Sequence, residues 1–177
     1  MKPSTATITT RFEGDGRVMT RDEAEAFGDR ELVAVAPTLL ATARYLSRSE
    51  ADAADLVQAT LEIALRRRSQ LRDPARLRSW LLAIETREAF RLRRRLRALV
   101  SLDGSVLEVP AVGGPSDADL EVRMAVAKLP TRMRAAVVLH HMASLSVIET
   151  AEAMQVSENT VKTLLRLGLV RLREVLA

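Results

Sequence analysis

Apolar residues recur every three or four positions along most of the chain, and polar or charged residues occupy the intervals between them. This spacing is typical of amphipathic helices, and no segment shows a convincing strand alternation. Helices are predicted over 30–46, 50–71, 74–97 and 131–142. Pro37 is expected to kink the first of them or to delay its start. The pattern therefore predicts an all-α fold.

Two short helices joined by a tight turn are predicted within residues 146–176. Ser146, followed three residues later by Glu149, forms a capping box for the first helix. Gln155 opens the turn, and Ser157 caps the second helix. The apolar faces consist of Ile148, Ala151 and Met154 on the first helix and of Val161, Leu165, Gly168 and Leu172 on the second. This is a helix-turn-helix pattern, and its second helix can lie in a DNA major groove.

Two further helix starts are marked by capping residues. Ser49 is expected to cap the 50–71 helix, and Asp73-Pro74 places a cap before a proline at the first helical position. The apolar stripe of the 50–71 helix is expected at Ala54, Val57, Leu61 and Leu65. Trp80 lies on an apolar stripe, which favours the core over a stacking platform for an unpaired base, while Phe90 stays open between the two.

Glycine, proline and polar segments divide the chain into parts. Residues 1–27 are polar and without sustained periodicity, so they are predicted to be a disordered tail. Residues 98–117 contain three glycines and two prolines and are predicted to be a flexible linker. Lys-Leu-Pro at 128–130 separates two later helices. The prediction is two small helical domains, 28–97 and 118–177, joined by that linker.

The charge favours a polyanionic partner. The chain has 27 basic and 23 acidic residues, a net charge of +4, and its only lysines are Lys2, Lys128 and Lys162. Arginine suits phosphates and guanine edges better than lysine does, although a GC-rich genome also enriches arginine. The absence of cysteine excludes disulfides and fits a reducing cytoplasm. No apolar run approaches membrane-spanning length, and the polar N-terminus is no signal peptide, so we expect a cytoplasmic protein without membrane insertion.

The helix before the linker is strongly basic. Twelve arginines and only three acidic residues lie between positions 66 and 97. Like charges at helical spacing repel by a few tenths of a kcal/mol per pair, and a bound polyanion would relieve that repulsion. A nucleic-acid contact is therefore favoured over a solvated face packed by arginine stems. The arginines spaced to share one broad face are Arg87, Arg91, Arg94 and Arg95.

Catalytic and metal patterns are lacking in the sequence. No nucleophile–base set, phosphate loop or zinc motif is present, so we expect a protein that is not an enzyme and has no catalytic residues. His140 and His141 point about 100° apart on a helix and have no evident third ligand. Neither a metal site nor another cofactor is expected.

Two separated sets of motifs resemble one family. The first set is DLVQ at 55–58, Asp73-Pro74 and SWLLAI at 79–84, and it resembles region two of bacterial sigma factors. The second set is KLP at 128–130, Arg134, VVL at 137–139 and SLSVIETAEAMQVSENTVK at 144–162, and it resembles region four. With these two regions in this order over residues 30–176, the chain resembles sigma factors of the extracytoplasmic-function group.

The resemblance implies a promoter-specificity subunit, which binds core RNA polymerase and directs it to promoter DNA. It assigns the polymerase contact to Asp55, Leu56 and Gln58, with ordinary core packing as the alternative for Leu56. It also implies that the basic helix meets the minus-ten element, where a base leaves the stack at a cost of a few kcal/mol. The minus-ten contacts are assigned to Arg87, Arg91, Arg94 and Arg95.

Region four implies a second DNA contact. Its recognition helix is expected in the major groove of the minus-thirty-five element. The residues assigned to that contact are Ser157, Asn159, Thr160, Lys162, Thr163 and Arg166. The resemblance also implies an anti-sigma factor as a protein partner.

Several positions depart from the family pattern. The departures are Gln155 in place of glycine, Leu164 and Leu167 in place of arginine, Arg87 and Arg91 where Asn and Asp are usual, and Ala59 in place of Glu. A non-glycine residue in the turn predicts modest strain, and the leucines predict weaker phosphate contacts. Two alternatives follow: a stand-alone helix-turn-helix regulator that binds DNA as a dimer, or a sigma-like decoy that titrates an anti-sigma partner. DLVQ and the arginine-rich first domain argue against the stand-alone regulator.

Overall fold

The computed structural model of the protein describes residues 21–103 and 117–176, with side chains at 30–96, 98 and 121–176. Those residues form seven α-helices and no strand, which confirms the predicted all-α fold. The helices are α1 (Arg21–Leu46), α2 (Glu50–Arg66), α3 (Leu77–Asp103), α4 (Asp117–Ala127), α5 (Thr131–Val137), α6 (Val147–Met154) and α7 (Glu158–Leu176). Most of the predicted tail and the centre of the predicted linker lie outside the described residues.

Helix α1 begins earlier than the sequence predicted. It starts at Arg21 rather than Arg30 and continues through Pro37, so the expected delay of its start at that proline is wrong. Proline has no N–H, so the carbonyl of Val33 loses its helical donor. Val33 is 73% exposed, which allows water to replace the missing partner. The helix can therefore tolerate a proline at this place.

Helix α2 confirms the predicted cap and corrects the predicted stripe. The Ser49 side chain accepts a hydrogen bond of 3.0 Å from the backbone N–H of Asp52. The helix ends at Arg66, five residues before the predicted end, and a 3₁₀ turn follows. Its buried face is offset by one position from the predicted one and consists of Ala53, Leu56, Thr60 and Ala64. Thr60 can be buried because its hydroxyl donates to the Leu56 carbonyl at 2.8 Å, a compensation that hydrophobicity alone does not reveal.

Helix α3 is longer than predicted. Asp73 accepts a hydrogen bond of 3.0 Å from Ala75 N–H, as the capping motif predicted, and a 3₁₀ turn leads into the helix. The helix runs to Asp103, six residues past the predicted end at Arg97 and into the predicted linker. Trp80 and Phe90 are partly buried against the core, which confirms the core interpretation of Trp80.

The second bundle consists of α4 to α7. A buried arginine on α5 connects that helix to the end of α4. The break at Lys128–Pro130 is confirmed, and helix α5 passes directly into a π-helical turn over Val138–Met142. Arg134 is only 5% exposed. Its guanidinium donates to the carbonyls of Ala127 and, at 3.2 Å, Leu129, so the end of α4 keeps its hydrogen bonds. Burial lowers the Arg134 pKa to about 10.

The two bundles pack against each other. Helix α3 of the first bundle lies along α6 of the second, and α1 contacts α4 and α5. A single cluster of buried apolar side chains extends through both bundles. None of the described helices is long and apolar enough to cross a membrane. The arrangement leaves the outer faces of α2 and α7 exposed and places the first half of α3 against α6.

Candidate polymerase and nucleic-acid interfaces

The helix-turn-helix begins with the predicted capping box. The Ser146 hydroxyl accepts from Glu149 N–H at 3.1 Å, and the Glu149 carboxylate accepts from Ser146 N–H at 2.9 Å. The hydrogen bond from the Ser146 backbone is the main reason why the Glu149 pKa is lowered. Ala151 and Met154 are buried as predicted, but Ile148 is 55% exposed, so its assignment to the buried face is wrong. Thr150 is part of the buried face instead. The sequence did not indicate this, because threonine carries a polar hydroxyl.

Gln155 adopts a backbone conformation that favours glycine. Its φ is 55° and its ψ is 50°, in the left-handed region. Its N–H bonds to the carbonyls of Ala151 and Glu152, which ends α6. A residue with a Cβ pays about 1 kcal/mol here relative to glycine, so the strain predicted for this turn has a geometric basis.

Helix α7 has one buried and one exposed face. Val161, Leu165 and Gly168 are buried as predicted, and Leu172 is partly buried. At Gly168 an added Cβ would lie 2.9 Å from Val137 Cγ2, so the glycine allows α5 and α7 to approach closely. The side chains on the opposite, exposed face are those of Asn159, Lys162, Thr163 and Arg166. Sequence spacing therefore predicted the buried stripe of α7 correctly, and the assigned residues on the other face are exposed.

The cations on that face are available to an external partner. Among the described residues, neither Lys162 nor Arg166 forms an ion pair with an acidic side chain. Lys162 lies just past the first turn of α7, where backbone N–H groups and the helix dipole favour an anion such as a phosphate. The face therefore has the polarity and charge of a helix that binds in a DNA groove.

The first turn of α7 uses its hydroxyls to hold the helix end. Ser157 Oγ accepts from Thr160 N–H at 3.2 Å and lies 2.9 Å from Thr160 Oγ1. Thr163 Oγ1 donates to the Asn159 carbonyl at 2.9 Å. Ser157 is exposed and Thr160 is partly buried. Among the assigned residues, these two are thus the ones with a structural task at the helix end.

The two leucines that were expected to depart from the family pattern lie in different environments. Leu164 is partly buried and packs against the core, whereas Leu167 is 36% exposed. An arginine at Leu164 would have to extend past this contact to reach solvent. The side chain at position 167 is therefore open to solvent, whereas the side chain at position 164 is part of the packing.

The four arginines assigned to the minus-ten contact share one side of α3 but differ in their partners. Arg94 and Arg95 are exposed. Arg91 donates from Nε to Glu88 at 2.7 Å, and the hydrogen bond to Glu88 raises the Arg91 pKa. Arg87 donates to the Glu152 carbonyl on α6 at 3.1 Å. Two of the four guanidinium groups are thus already engaged within the protein.

The polymerase-contact assignment is changed at one residue. Asp55 and Gln58 are exposed on α2, and Gln58 Nε2 donates to Glu62 at 3.1 Å. Leu56 is 1% exposed, so its assignment as a contact is wrong and the core alternative holds. Leu56 is buried because the buried stripe of α2 is offset by one residue from the predicted stripe, so the leucine of DLVQ faces the core. The outer face of α2 keeps the charged and amide groups.

Arginines that join the two bundles were not predicted. Arg76 forms an ion pair with Glu152 at 3.2 Å, and Arg78 donates to the Ala143 carbonyl. Arg123, 7% exposed, lies 4.0 Å from Glu50. These pairs join residues 65 to 76 positions apart, for which one sequence offers no signal.

No metal site emerges in the described part of the chain. Within it, no group of three or more His, Asp or Glu side chains could hold a metal ion. His140 Nδ1 lies 2.7 Å from the Leu145 carbonyl, so this ring has a hydrogen-bond partner within the fold.

Comparison with known proteins matches two family models to the chain, one on each bundle. The model of sigma-70 region 2 matches residues 32–99, and the model of sigma-70, region 4 matches residues 119–172. RNA polymerase sigma factor SigV of Bacillus subtilis (strain 168) is 28% identical over 127 residues, which cover 71% of this chain and 76% of SigV.

Solved structures show the same arrangement of helices. Sigma factor RpoE, in complex with the anti-sigma factor NepR from Bartonella quintana, is 27% identical with a TM-score of 0.76, covering 84% of this chain and 96% of RpoE. CnrH, in complex with the cytosolic domain of CnrY, is 24% identical with a TM-score of 0.57 and 89% coverage of each chain, which shows the shared fold. The chain belongs to the sigma-70 family, in the extracytoplasmic-function group, and is a promoter-specificity subunit of RNA polymerase.

Proposed function

We propose that the protein directs core RNA polymerase to its promoters through three separate surfaces. The outer face of α2 contacts the polymerase, the basic side of α3 contacts the minus-ten element, and the polar face of α7 contacts the minus-thirty-five element. The observation that carries the proposal is the α7 face, because its cations lie opposite a buried stripe and directly after a capped helix-turn-helix. Such a face has no task in the fold and fits a DNA groove.

The polymerase contact is proposed for Asp55 and Gln58. Both side chains are exposed and lie outside the buried stripe that contains Leu56. A carboxylate and an amide beside partly buried Val57 form a mixed polar and apolar edge, which suits a helical protein partner. Glu62 extends this edge through its hydrogen bond with Gln58.

The minus-ten contact is proposed for the arginine side of α3. Arg94 and Arg95 are exposed and can bind phosphates directly, with the salt dependence that counterion release gives. Arg91 is held by Glu88, so its guanidinium has a fixed orientation toward DNA. Arg87 reaches DNA only after it leaves the Glu152 carbonyl.

The minus-thirty-five contact is proposed for the first half of α7. Lys162 and Arg166 are assigned to base edges or phosphates, where a good bidentate base contact contributes about 1–3 kcal/mol. Asn159 and Thr163 lie on the same face and supply amide and hydroxyl groups. Ser157 and Thr160 stabilise the N-terminal end of α7, and at that end they approach the DNA backbone.

We further propose a cytoplasmic, non-catalytic protein that is controlled by an anti-sigma factor. Transcription takes place where the polymerase and the genome are, and no step in the proposed role breaks or forms a covalent bond on this chain. RpoE of Bartonella quintana, which covers most of this chain, was solved with an anti-sigma factor bound. That likeness supports a protein partner of the same kind here.

Run-off transcription with purified core polymerase and a fragment library of the source genome tests the proposal. We expect a limited set of promoter-dependent products that need both the chain and the polymerase. The matched variant Asp55→Ala with Gln58→Ala should abolish the products while its DNA-binding face stays intact. A chain that associates with polymerase but yields no promoter-dependent product would instead be a decoy. A chain that binds an operator without polymerase would be a stand-alone regulator.

A further inference from the structure

Two apolar side chains lie exposed on the side of α7 that is assigned to DNA. Leu167 is 36% exposed and Val170 is 46% exposed. Leu164 and Leu172 of the same helix pack against the core, and these two side chains do not belong to that cluster. The fold therefore leaves Leu167 and Val170 open to an external partner.

Helical spacing places these side chains on the side of α7 that points away from the core. Val170 lies nine residues after fully buried Val161, which is about two and a half turns of helix. Thr163 lies nine residues before Leu172, which packs against the core, so it projects in nearly the same direction as Val170. Leu167 lies between the two, at spacings where side chains on a helix are neighbours. Thr163, Leu167 and Val170 form what we call the apolar strip.

Thr163 contributes a methyl group to the apolar strip. Its hydroxyl donates to the Asn159 carbonyl at 2.9 Å, so the donor of this side chain is already used within the helix. The side chain offers an external partner its methyl group and an acceptor oxygen. From Thr163 to Val170 the strip is about 10 Å long at 1.5 Å per residue, which corresponds to about three base pairs of duplex DNA.

Base chemistry in the major groove decides what the apolar strip can contact. Lys162 and Arg166 lie beside the strip and carry the charge that binds a DNA backbone, which favours DNA over an apolar protein surface. Base edges in the major groove consist of hydrogen-bonding groups, except for the C5-methyl group of thymine. An apolar side chain against the amino group of cytosine would leave that donor without a partner. The strip therefore fits thymine and disfavours cytosine.

We propose that the apolar strip recognises thymine methyl groups in the minus-thirty-five element, and that Leu167 and Val170 are specificity-determining residues of this chain. The inference rests on the proposed function, because it takes α7 to lie in the major groove. It goes further by naming the atoms that are recognised, which are C5-methyl groups within about three neighbouring base pairs. The cations beside the strip bind the DNA, and the strip selects among sequences.

Replacement of thymine by uracil tests the proposal, because uracil lacks only the methyl group and keeps the hydrogen-bonding groups. The probe is the promoter duplex that gives the strongest run-off product, made with thymine or with uracil in the minus-thirty-five element. Holoenzyme that contains the parent chain should bind the thymine duplex about three- to four-fold more tightly for each methyl group that is buried. The ratio of the two affinities is measured for each protein, so effects common to both duplexes cancel.

Variants of the apolar strip provide matched comparisons. Leu167→Gln with Val170→Gln should bring the affinity ratio close to one, whereas Leu167→Met keeps an apolar side chain and should keep most of the ratio. The control is Leu176→Gln, which should keep the parental ratio. Leu176 is 53% exposed and lies nine residues after Leu167, on the opposite side of α7. All three positions are exposed, so the variants should remain folded.

The possible failures can be told apart. A ratio of one in the parent, with both duplexes bound more weakly by Lys162→Ala, would overturn the methyl contact and leave α7 as the DNA-binding helix. A ratio that survives in Leu167→Gln with Val170→Gln would place the methyl contact outside the strip. Loss of polymerase association in that double variant, with the ratio unchanged, would make the strip a protein contact. If neither uracil nor Lys162→Ala changes binding, the proposed minus-thirty-five contact itself fails.

Discussion

Helices α3 and α7 both carry arginines on an exposed side, but they use them differently. On α7, Lys162 and Arg166 lie opposite a buried stripe and have no acidic partner among the described residues. On α3, Arg87 is bound by α6 and Arg91 by Glu88. The comparison teaches that the number of cations on a helix does not tell how many of them are available to DNA. Cations on a helix face away from a well-defined buried stripe are more often available.

The largest expected effect concerns a buried acid on α3. Glu85 is fully buried and hydrogen-bonded to Thr42, and its other carboxyl oxygen has no hydrogen-bond partner among the described residues. Burial raises the Glu85 pKa to about 8, against 4.5 for an ordinary glutamate. The folded chain therefore keeps a proton that the unfolded chain loses. This contribution to stability is full below the unfolded pKa and is lost as the pH rises toward the folded one.

Glu85→Gln should remove this pH dependence. The free energy of unfolding should fall by roughly 1 kcal/mol per pH unit between pH 5 and 8 in the parent and stay flatter in the variant. The variant should thus gain about 3 kcal/mol over the parent across that range. Urea unfolding at several pH values measures it, with Glu174→Gln at an exposed site as the control. Parallel profiles in parent and variant would show that Glu85 is ionised in the folded protein.

On α7, removal of a cation should affect binding and leave stability unchanged. Lys162→Ala and Arg166→Ala should each weaken binding to a minus-thirty-five duplex by about 1–3 kcal/mol where the side chain reaches a base edge. Arg171→Ala, on another side of the same helix, is the matched control. Holoenzyme binding to duplex DNA and pull-down with core polymerase give the two readouts. Loss of polymerase association in either variant would contradict the assignment of this face to DNA.

The capping box tests whether α7 depends on the helix before it. Ser146→Ala removes the acceptor for Glu149 N–H, and the expected loss of stability is about 1 kcal/mol. The affinity for the minus-thirty-five duplex should follow this loss only near the unfolding midpoint. Thermal unfolding and a binding titration at 25 °C separate the two effects. A large loss of affinity in fully folded protein would mean that Ser146 itself contacts DNA.

The smallest effect separates two neighbouring arginines on α3. Arg94→Ala should lower the slope of log affinity against log salt by about 0.9, the value for one phosphate contact, without a change in stability. Arg91→Ala should also lower the stability, because Glu88 is buried and loses its partner. Salt titrations of duplex binding and urea unfolding of both variants measure this. If the two variants are equally stable, the pair of Arg91 and Glu88 does not stabilise the fold.

Local patterns were predictable from the sequence, and long-range pairs were not. The caps at Ser49, Asp73 and Ser146 were all identified, because each depends on residues two or three positions away. The buried stripe of α2 was predicted one residue away from its true position. Thr60 was not expected in it, because the hydrogen bond of its hydroxyl to the Leu56 carbonyl cannot be seen in the sequence. The contact assigned to Leu56 came from the resemblance of DLVQ to the family, and the predicted stripe gave no signal that this leucine is buried.

The exposure of the assigned α7 residues was predictable from periodicity, whereas the internal partners of the α3 arginines were not. Periodicity alone places Lys162 and Arg166 outside the buried stripe of Val161 and Leu165. The partners of Arg87 come instead from a helix 65 residues away, which no periodic pattern contains. The tertiary contact between the bundles is therefore what sequence reasoning missed, and the π-helical turn after α5 belongs to the same class of tertiary detail.

Binding of the purified chain to core RNA polymerase at low salt tests the central claim most directly. The account predicts saturable one-to-one binding, which Asp55→Ala with Gln58→Ala weakens strongly and Glu174→Ala leaves unchanged. Absence of binding by the parent chain would contradict the claim that it works as a subunit of the polymerase. Equal binding by all three proteins would contradict the place assigned to that contact on α2.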